Sequence, residues 1–357
     1  MNKKNKKILW PQVIGSIILL FGLWQFFSNI YQEEEKELRT QIRKTVKEMF
    51  PEKAAEFSQT FGLFLFEADQ ELLREEILGR KTVVLIHGLD DPGKVWQNLA
   101  PELAKDDYNV LLMEYPNDQP VVESSQLFFE ELQELKEFGV DRISIVAHSM
   151  GGLVSREMLT SPKFEYYNSV NESLVPQVAR FIMVGTPNHG SQMARFRWFG
   201  EVRDHLARLS KGEINWQGAI FDGAGEAKID LLPESSFLTE LNSRPHPEDI
   251  DMLIIAGISS PWQENDIKRV VGDIRLKVPK NQHELVDDIG EYMIEMTHGL
   301  GDGLVTVESA RLEGISLRTV EGTHLSMIRN ITTSSKRIPP AVPIIIEYLK
   351  KGDKQEP

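Results

Sequence analysis

The chain has 357 residues, 41% of them hydrophobic, which is ample for a large packed core. Its formal net charge of −14 argues against nucleic acid as a partner. The absence of cysteine excludes a disulfide framework, a thiolate nucleophile and a cysteine-based metal site.

The charge is unevenly placed. Lys3, Lys4, Lys6 and Lys7 give the first 31 residues +4 with no acid, so the remainder carries −18 of the net −14. Residues 8–32, ILWPQVIGSIILLFGLWQFFSNIYQ, contain no charge over 25 positions. Roughly 20 helical residues cross a hydrocarbon core. Trp10 lies near one end and Trp24 and Tyr31 toward the other, where amphipathic rings favour the interface. We therefore read residues 1–32 as cytoplasmic lysines followed by a transmembrane anchor. The lysines place the N-terminus in the cytoplasm and the rest across a cell (inner) membrane. A cleaved signal peptide would have a shorter apolar core and a small-residue cleavage site, which Ser28-Asn29-Ile30 does not supply.

Residues 33–50 have Leu38, Ile42, Val46 and Met49 at helical spacing, with Pro51 as a stop. They read as a charged amphipathic helix, part of a juxtamembrane stalk (33–78) that packs on the following domain. The apolar run FGLFLF at 61–66 is too short to span a bilayer.

From residue 79 to 350 the pattern is that of one α/β domain. KTVVLIHGL (81–89) and YNVLLMEYP (108–116) are strands, and residues 121–139 form a helix with Leu127, Leu132, Leu135 and Phe138 on one broad face and Gly139 as its stop. RISIVAHS (142–149) is a third strand, followed at once by a helix. ARFIMVGTP (179–187), DMLIIAGIS (251–259) and SLRTVEG (316–322) are the fourth to sixth strands, and AVPIIIEYLK (341–350) is a closing helix. Strands that are apolar throughout and alternate with helices predict a mostly parallel sheet covered on both faces. Residues 187–250 break the rhythm and read as an insertion over the C-terminal edge of the sheet. Its aromatic residues fit an acyl pocket and equally a small core of the insertion's own. Residues 351–357 are a polar tail.

Ser149, in IVAHSMGGLV, ends a strand and opens a helix. A serine on so sharp a turn is pushed above the sheet edge, and small neighbours (Ala147, Gly151, Gly152) are needed around it. The backbone N–H of Met150 then points to where an oxyanion would form, with the positive end of the helix behind it. Leu89, after the glycine turn of IHGL, offers a second backbone N–H. A serine hydroxyl needs an imidazole to take its proton, and the imidazole needs a carboxylate to fix its tautomer. On this kind of sheet the chain order is serine, acid, histidine. His324, four residues beyond the last strand run, is the predicted base, and Asp302, between Gly301 and Gly303, the predicted acid. His87 and His148 read as turn-shaping residues. His189 follows the fourth strand but is out of order. His205, His246 and His283 read as solvated surface, and His298 as a neighbour of the acid loop. Asp266 and Asp273 lie in a charged, exposed-looking stretch. No cofactor or metal is called for.

The ordered motifs IHGL, AHSMGGLV, GTPNHGS, GDGLV and GTHLSM resemble the lipase-like α/β-hydrolases, in particular bacterial triacylglycerol lipases and membrane-associated acyl-ester deacylases. The resemblance spans roughly residues 80–350. It implies an α/β-hydrolase fold with a lid, a triad of Ser149, Asp302 and His324, oxyanion donors at Leu89 and Met150, and an acyl-ester or lipid substrate. Secreted relatives of this type bind calcium through an aspartate two residues after the histidine. Ser326 stands there, so no calcium site is expected. The motifs do not separate ester hydrolysis from acyl transfer or from amide or thioester cleavage. A non-catalytic binding module on the same fold is the rival from outside the enzymes.

Overall fold

The computed structural model describes residues 32–52, 61–66, 79–89, 93–191, 225–258, 264–276, 283, 286–287 and 301–351. The anchor expected at residues 8–32 lies almost wholly outside these, as do the aromatic stretches of the insertion at 194–199 and 214–221. Among the described residues, no helix is long and apolar enough to cross a membrane.

Among the described residues, seven strands form one sheet: β1 (Gly62–Leu65), β2 (Lys81–Ile86), β3 (Tyr108–Glu114), β4 (Arg142–His148), β5 (Gln177–Val184), β6 (Asp251–Ile258) and β7 (Ser316–Glu321). Their order is β1-β3-β2-β4-β5-β6-β7. All pairs from β3 to β7 are parallel, and β1 is antiparallel to β3, with Leu63 opposite Met113. The sheet therefore begins inside the segment read from sequence as stalk. Within FGLFLF, Gly62–Leu65 makes an edge strand, a role that local pattern cannot distinguish from any short apolar run. Glu131 completes that edge by accepting a hydrogen bond from the Leu63 N–H at 2.7 Å.

The period-two alternation of the central strands feeds two cores. Val84, Ile86, Ile145 and Ala147 face Phe128, Leu132, Leu153 and Met158 on helices α3 (Val121–Glu137) and α4 (Met150–Thr160). Val83, Leu85, Val146 and Ile182 face Trp96, Leu99, Leu103, Ile345 and Leu349 around α2 (Ala100–Lys105) and α10 (Ala341–Lys351). On α3 the buried face runs through Val121, Ser124, Ser125, Phe128, Phe129, Leu132 and Leu135. Leu127 and Phe138, expected on that face, are only half-buried. Elsewhere α5 (Tyr166–Asn171), α6 (Glu226–Asp230), α7 (Ser236–Ser243), α8 (Glu264–Arg275) and α9 (Val307–Ala310) fill the connections.

Helix α1 (Gln32–Met49) forms where the sequence predicts a helix and packs on the domain, but by the opposite logic. Its charged face is the buried one. Arg43 Nε meets Glu226 Oε1 at 3.0 Å and Arg43 Nη2 meets Glu123 Oε1 at 2.6 Å, while Lys36 Nζ meets Asp230 Oδ1 at 2.5 Å. Glu226 and Asp230, both on α6, are fully buried. The apolar stripe points outward: Leu38, Ile42 and Met49 are 58%, 48% and 64% exposed. Burial raises the Asp230 carboxyl above the usual carboxylate range, although Lys36 and the Val121 N–H pull the other way. Burial opposes the Arg43 charge, but its hydrogen bonds to Glu123 and Glu226 outweigh that and raise it.

Candidate active site

The parallel strands all end at one edge. Chain order runs from β2 outward to β3, then crosses back to β4 on the other side of β2. The loops after β2 and β4 thus diverge and leave a crevice above the strand ends, the usual ligand position in an open α/β sheet. Ser149 stands at that point. It occupies the single residue between β4 and α4 with φ 53° and ψ −126°, a conformation costly for any residue with a Cβ. The turn is held by the Ser149 N–H, which donates to Val184 O at 2.8 Å, and by the Gly152 N–H, which donates to Ser149 O at 3.1 Å. A Cβ on Gly152 would collide with Thr186, so the small residue expected here is enforced by close contact between α4 and the loop after β5. Met150, the first residue of α4, is completely buried, and its side chain belongs to the hydrophobic core.

The loop after β2 lies directly over Ser149. A Cβ on Gly88 would come within 2.6 Å of Ser149 Cβ and 3.2 Å of its Oγ. Leu89 follows, buried. His87 shapes this loop: its ring is buried, stacks on Tyr115 with centroids 4.5 Å apart, and its Nδ1 lies 2.7 Å from Gly88 O. Tyr115 Oη donates to His87 O at 2.6 Å.

Asp302 and His324 are brought together from two loops 22 residues apart. Nδ1 of His324 lies 2.7 Å from Asp302 Oδ2, and the His324 N–H donates to Asp302 O at 2.8 Å. The other carboxylate oxygen, Oδ1, accepts from the Leu304 and Val305 N–H groups at 2.9 and 2.7 Å. Both side chains are buried. A carboxylate on Nδ1 keeps the proton there and leaves Nε2 free to accept. Gly185, at the end of β5, makes room for the pair: a Cβ would sit 3.1 Å from Asp302 Oδ2 and 3.2 Å from His324 Cε1. The His324 turn is itself boxed by Thr323 and Ser326, each backbone N–H donating to the other's hydroxyl at 2.8 and 3.2 Å.

Ser149 and His324 make no direct hydrogen bond in this structure. They are linked through His148, whose Nε2 donates to His324 O at 3.0 Å and whose ring lies 4.6 Å from the His324 ring. From sequence His148 reads as a turn residue. Its hold on His324 spans 176 residues and has no local signature.

The remaining candidates fall elsewhere. His189 is exposed, with Nε2 3.0 Å from Arg311 O. With Asn242, His246, Glu308 and Arg311 it lines an open cavity of about 780 Å³ that excludes Ser149, Asp302 and His324. Burial and then Arg156 hold His246 below its ordinary value. Arg156 is buried beneath Asn188 and Asn242, donating to their side-chain oxygens at 3.0 and 2.9 Å; burial, then Arg244, pushes it down to about 10. Asp273 is exposed, and His283 is bonded to Arg275. His205, His298 and the Asp266 side chain lie outside the described residues.

A model of the alpha/beta hydrolase family matches residues 83–284, more than half of the chain. The chain belongs to the alpha/beta hydrolase family. That match includes Ser149 and ends before Asp302 and His324. No curated protein matched the chain. Among solved structures, the mature lipase BlEst2 of Bacillus licheniformis is 18% identical, with a TM-score of 0.49, covering 80% of this chain and 97% of its own. A metagenomic carboxyl esterase, MGS0156, is likewise 18% identical at a TM-score of 0.49, covering 78% and 77%. The phospholipase PlaB of Legionella pneumophila is 18% identical at 0.47, covering 76% and 60%. At such distances these likenesses add nothing to the family assignment.

Proposed function

We propose that this chain is a serine hydrolase of carboxylic esters, tethered to a membrane by residues 8–32, with the catalytic domain outside the cytoplasm. The observation that carries the catalytic part is the buried Asp302–His324 pair, at 2.7 Å, set beside His148 and hence beside the strained turn of Ser149.

In this reading Ser149 Oγ attacks the acyl carbonyl while His324 Nε2 takes its proton. Asp302 keeps His324 in the right tautomer and stabilises the imidazolium without itself becoming protonated. The N–H groups of Met150 and Leu89 hold the oxyanion. His324 returns the proton to the leaving alcohol, then activates water to release the acid from the acyl-enzyme. The missing Ser149–His324 hydrogen bond is no obstacle, because such contacts are often long without substrate. The insertion at 187–250 is read as the lid. Its described helices are tied down at their base by Arg156 to Asn242 and by α1 to α6. The uncharged segment 8–32 and its four preceding lysines support the anchor.

Ser149→Ala tests the assignment. Turnover of p-nitrophenyl esters should fall on the order of 10⁶-fold, the size seen when a triad serine is removed. A fluorophosphonate probe should label wild type and fail to label the variant. Unchanged turnover in the variant would remove Ser149 from the mechanism.

A further inference from the structure

The loop between His324 and α10 combines exposed apolar side chains with positive charge. Residues 331–338 are all exposed, and two of them are isoleucines: Ile331 at 93% and Ile338 at 71%. Leu325, next to His324, is 37% exposed. From Gly322 to Pro340 there is no acidic residue, while Arg329, Lys336 and Arg337 supply +3 in a chain whose net charge is −14. Lys336 and Arg337 pair with no carboxylate among the described residues.

The tip is displayed by a fixed frame. Buried Asn330 takes its N–H to Asn98 Oδ1 at 2.7 Å and its side-chain amide to Arg337 O at 2.7 Å. Gln97 donates to Asn330 O. Arg337 Nη2 donates to Ser326 O at 2.8 Å, and the Ala341 N–H to Met327 O at 2.9 Å. Beneath, Met327 and Ile328 are fully buried. Two branched apolar side chains held outward, among cations and the small hydroxyls of Thr332, Thr333, Ser334 and Ser335, match what a bilayer surface offers: anionic headgroups at the level of the cations and hydrocarbon just beneath.

We infer that the 325–338 loop is a docking surface for an anionic lipid bilayer, seated beside His324 so that the mouth of the site faces the membrane. The inference rests on the proposed ester hydrolase only for its purpose; docking itself requires no catalysis. Charge complementarity favours anionic lipid over a neutral surface, and the isoleucines require an apolar phase that a free phosphate does not provide.

The absence of cysteine makes the test clean. In the full chain, Ile331→Cys would carry a single environment-sensitive NBD label, with Thr333→Cys as a second position should the first variant fold poorly. Reconstituted in vesicles of phosphatidylcholine with phosphatidylglycerol, the label should shift to the blue and be quenched by doxyl-labelled lipid. A label at Leu174→Cys serves as the off-loop reference. Lys336→Glu with Ile338→Asp should reduce quenching of the residue-331 label about tenfold. No blue shift relative to the Leu174 reference and no quenching in anionic vesicles would overturn the proposal. So would a blue shift in lipid-free detergent that rises with protein concentration, which would mean contact between copies of the chain. Because the readout is fluorescence, an inactive enzyme that is still quenched would sink the ester-hydrolase reading and leave the docking surface standing.

Discussion

Two buried carboxylate sites sit near the same edge of this sheet, and they are built differently. Asp302 is held mainly by its own loop: two backbone N–H groups fill one oxygen, and His324 takes the other. Glu226 and Asp230 on α6 rest mainly on side-chain charges from α1, Arg43 and Lys36, and Asp230 has a single backbone partner besides, the Val121 N–H at 2.9 Å. Backbone amides position an anion without costing it a mobile partner. A carboxylate neutralised by a distant lysine or arginine stays comfortable only while that helix remains docked. The first arrangement suits a group that must hold one orientation through a reaction; the second suits a latch.

The largest effect that would test this contrast is at the first site. Asp302→Asn should keep the loop and the two backbone hydrogen bonds but lose control of the His324 tautomer. If Asp302 orients a catalytic His324, as proposed, ester turnover should drop roughly 10⁴-fold, the loss seen when a triad aspartate becomes asparagine. The midpoint of thermal unfolding should move little. A large loss of stability with modest loss of turnover would make Asp302 a structural residue.

At the second site the pattern should invert. Arg43→Ala removes the guanidinium from fully buried Glu226, and taking one charge from a buried ion pair costs about 3–5 kcal/mol. Undocking of α1 lets Glu226 rehydrate, so fast hydrogen exchange confined to residues 32–49 is expected before global unfolding. Unaltered exchange in α1 would mean that Arg43 does not hold it.

A smaller, sharper test replaces the pair with apolar groups. Arg43→Met combined with Glu226→Leu should recover most of the lost stability, since well-packed apolar replacements of buried ion pairs are often neutral or better. Failure to recover would show that Glu123 and Thr40, which also bond to this cluster, require the charge.

The mildest expected effect is on pH dependence. The folded Asp230 carboxyl is raised by burial, so the folded state binds a proton more readily than the unfolded one. Its contribution to stability is therefore most favourable below the unfolded value of about 3.9 and declines as pH rises through the raised folded value. Asp230→Asn should flatten that portion of a stability–pH curve measured by urea unfolding. A variant whose curve declines as steeply as wild type would place the dependence on another group.

The α1 helix shows where sequence patterning stops being informative. Leu38, Ile42, Val46 and Met49 mark a helix correctly, yet three of them face outward. The choice of buried face was made by Glu226 and Asp230, about 190 residues away, and no window of local sequence contains both partners. FGLFLF had the same difficulty: only β3, some 50 residues downstream, makes Gly62–Leu65 a strand rather than a loose apolar run. His148 was legible as a turn residue and not as the donor to His324 O, because that contact joins two loops distant in the chain.

By itself, the sequence determined the rhythm of strands and helices and the sharp serine turn, and it singled out Ser149, Asp302 and His324 as candidates in one chain order. Those rest on local rules: apolar periodicity, the small residues a sharp turn requires, and glycines around a loop. Tertiary structure decided that Asp302 and His324 meet at 2.7 Å, that Gly88 lies against Ser149, and that α1 is buried by its charges. Each of these is a contact between segments far apart in the chain, and its energy depends on distance and on solvent exclusion, neither of which exists until the chain has folded.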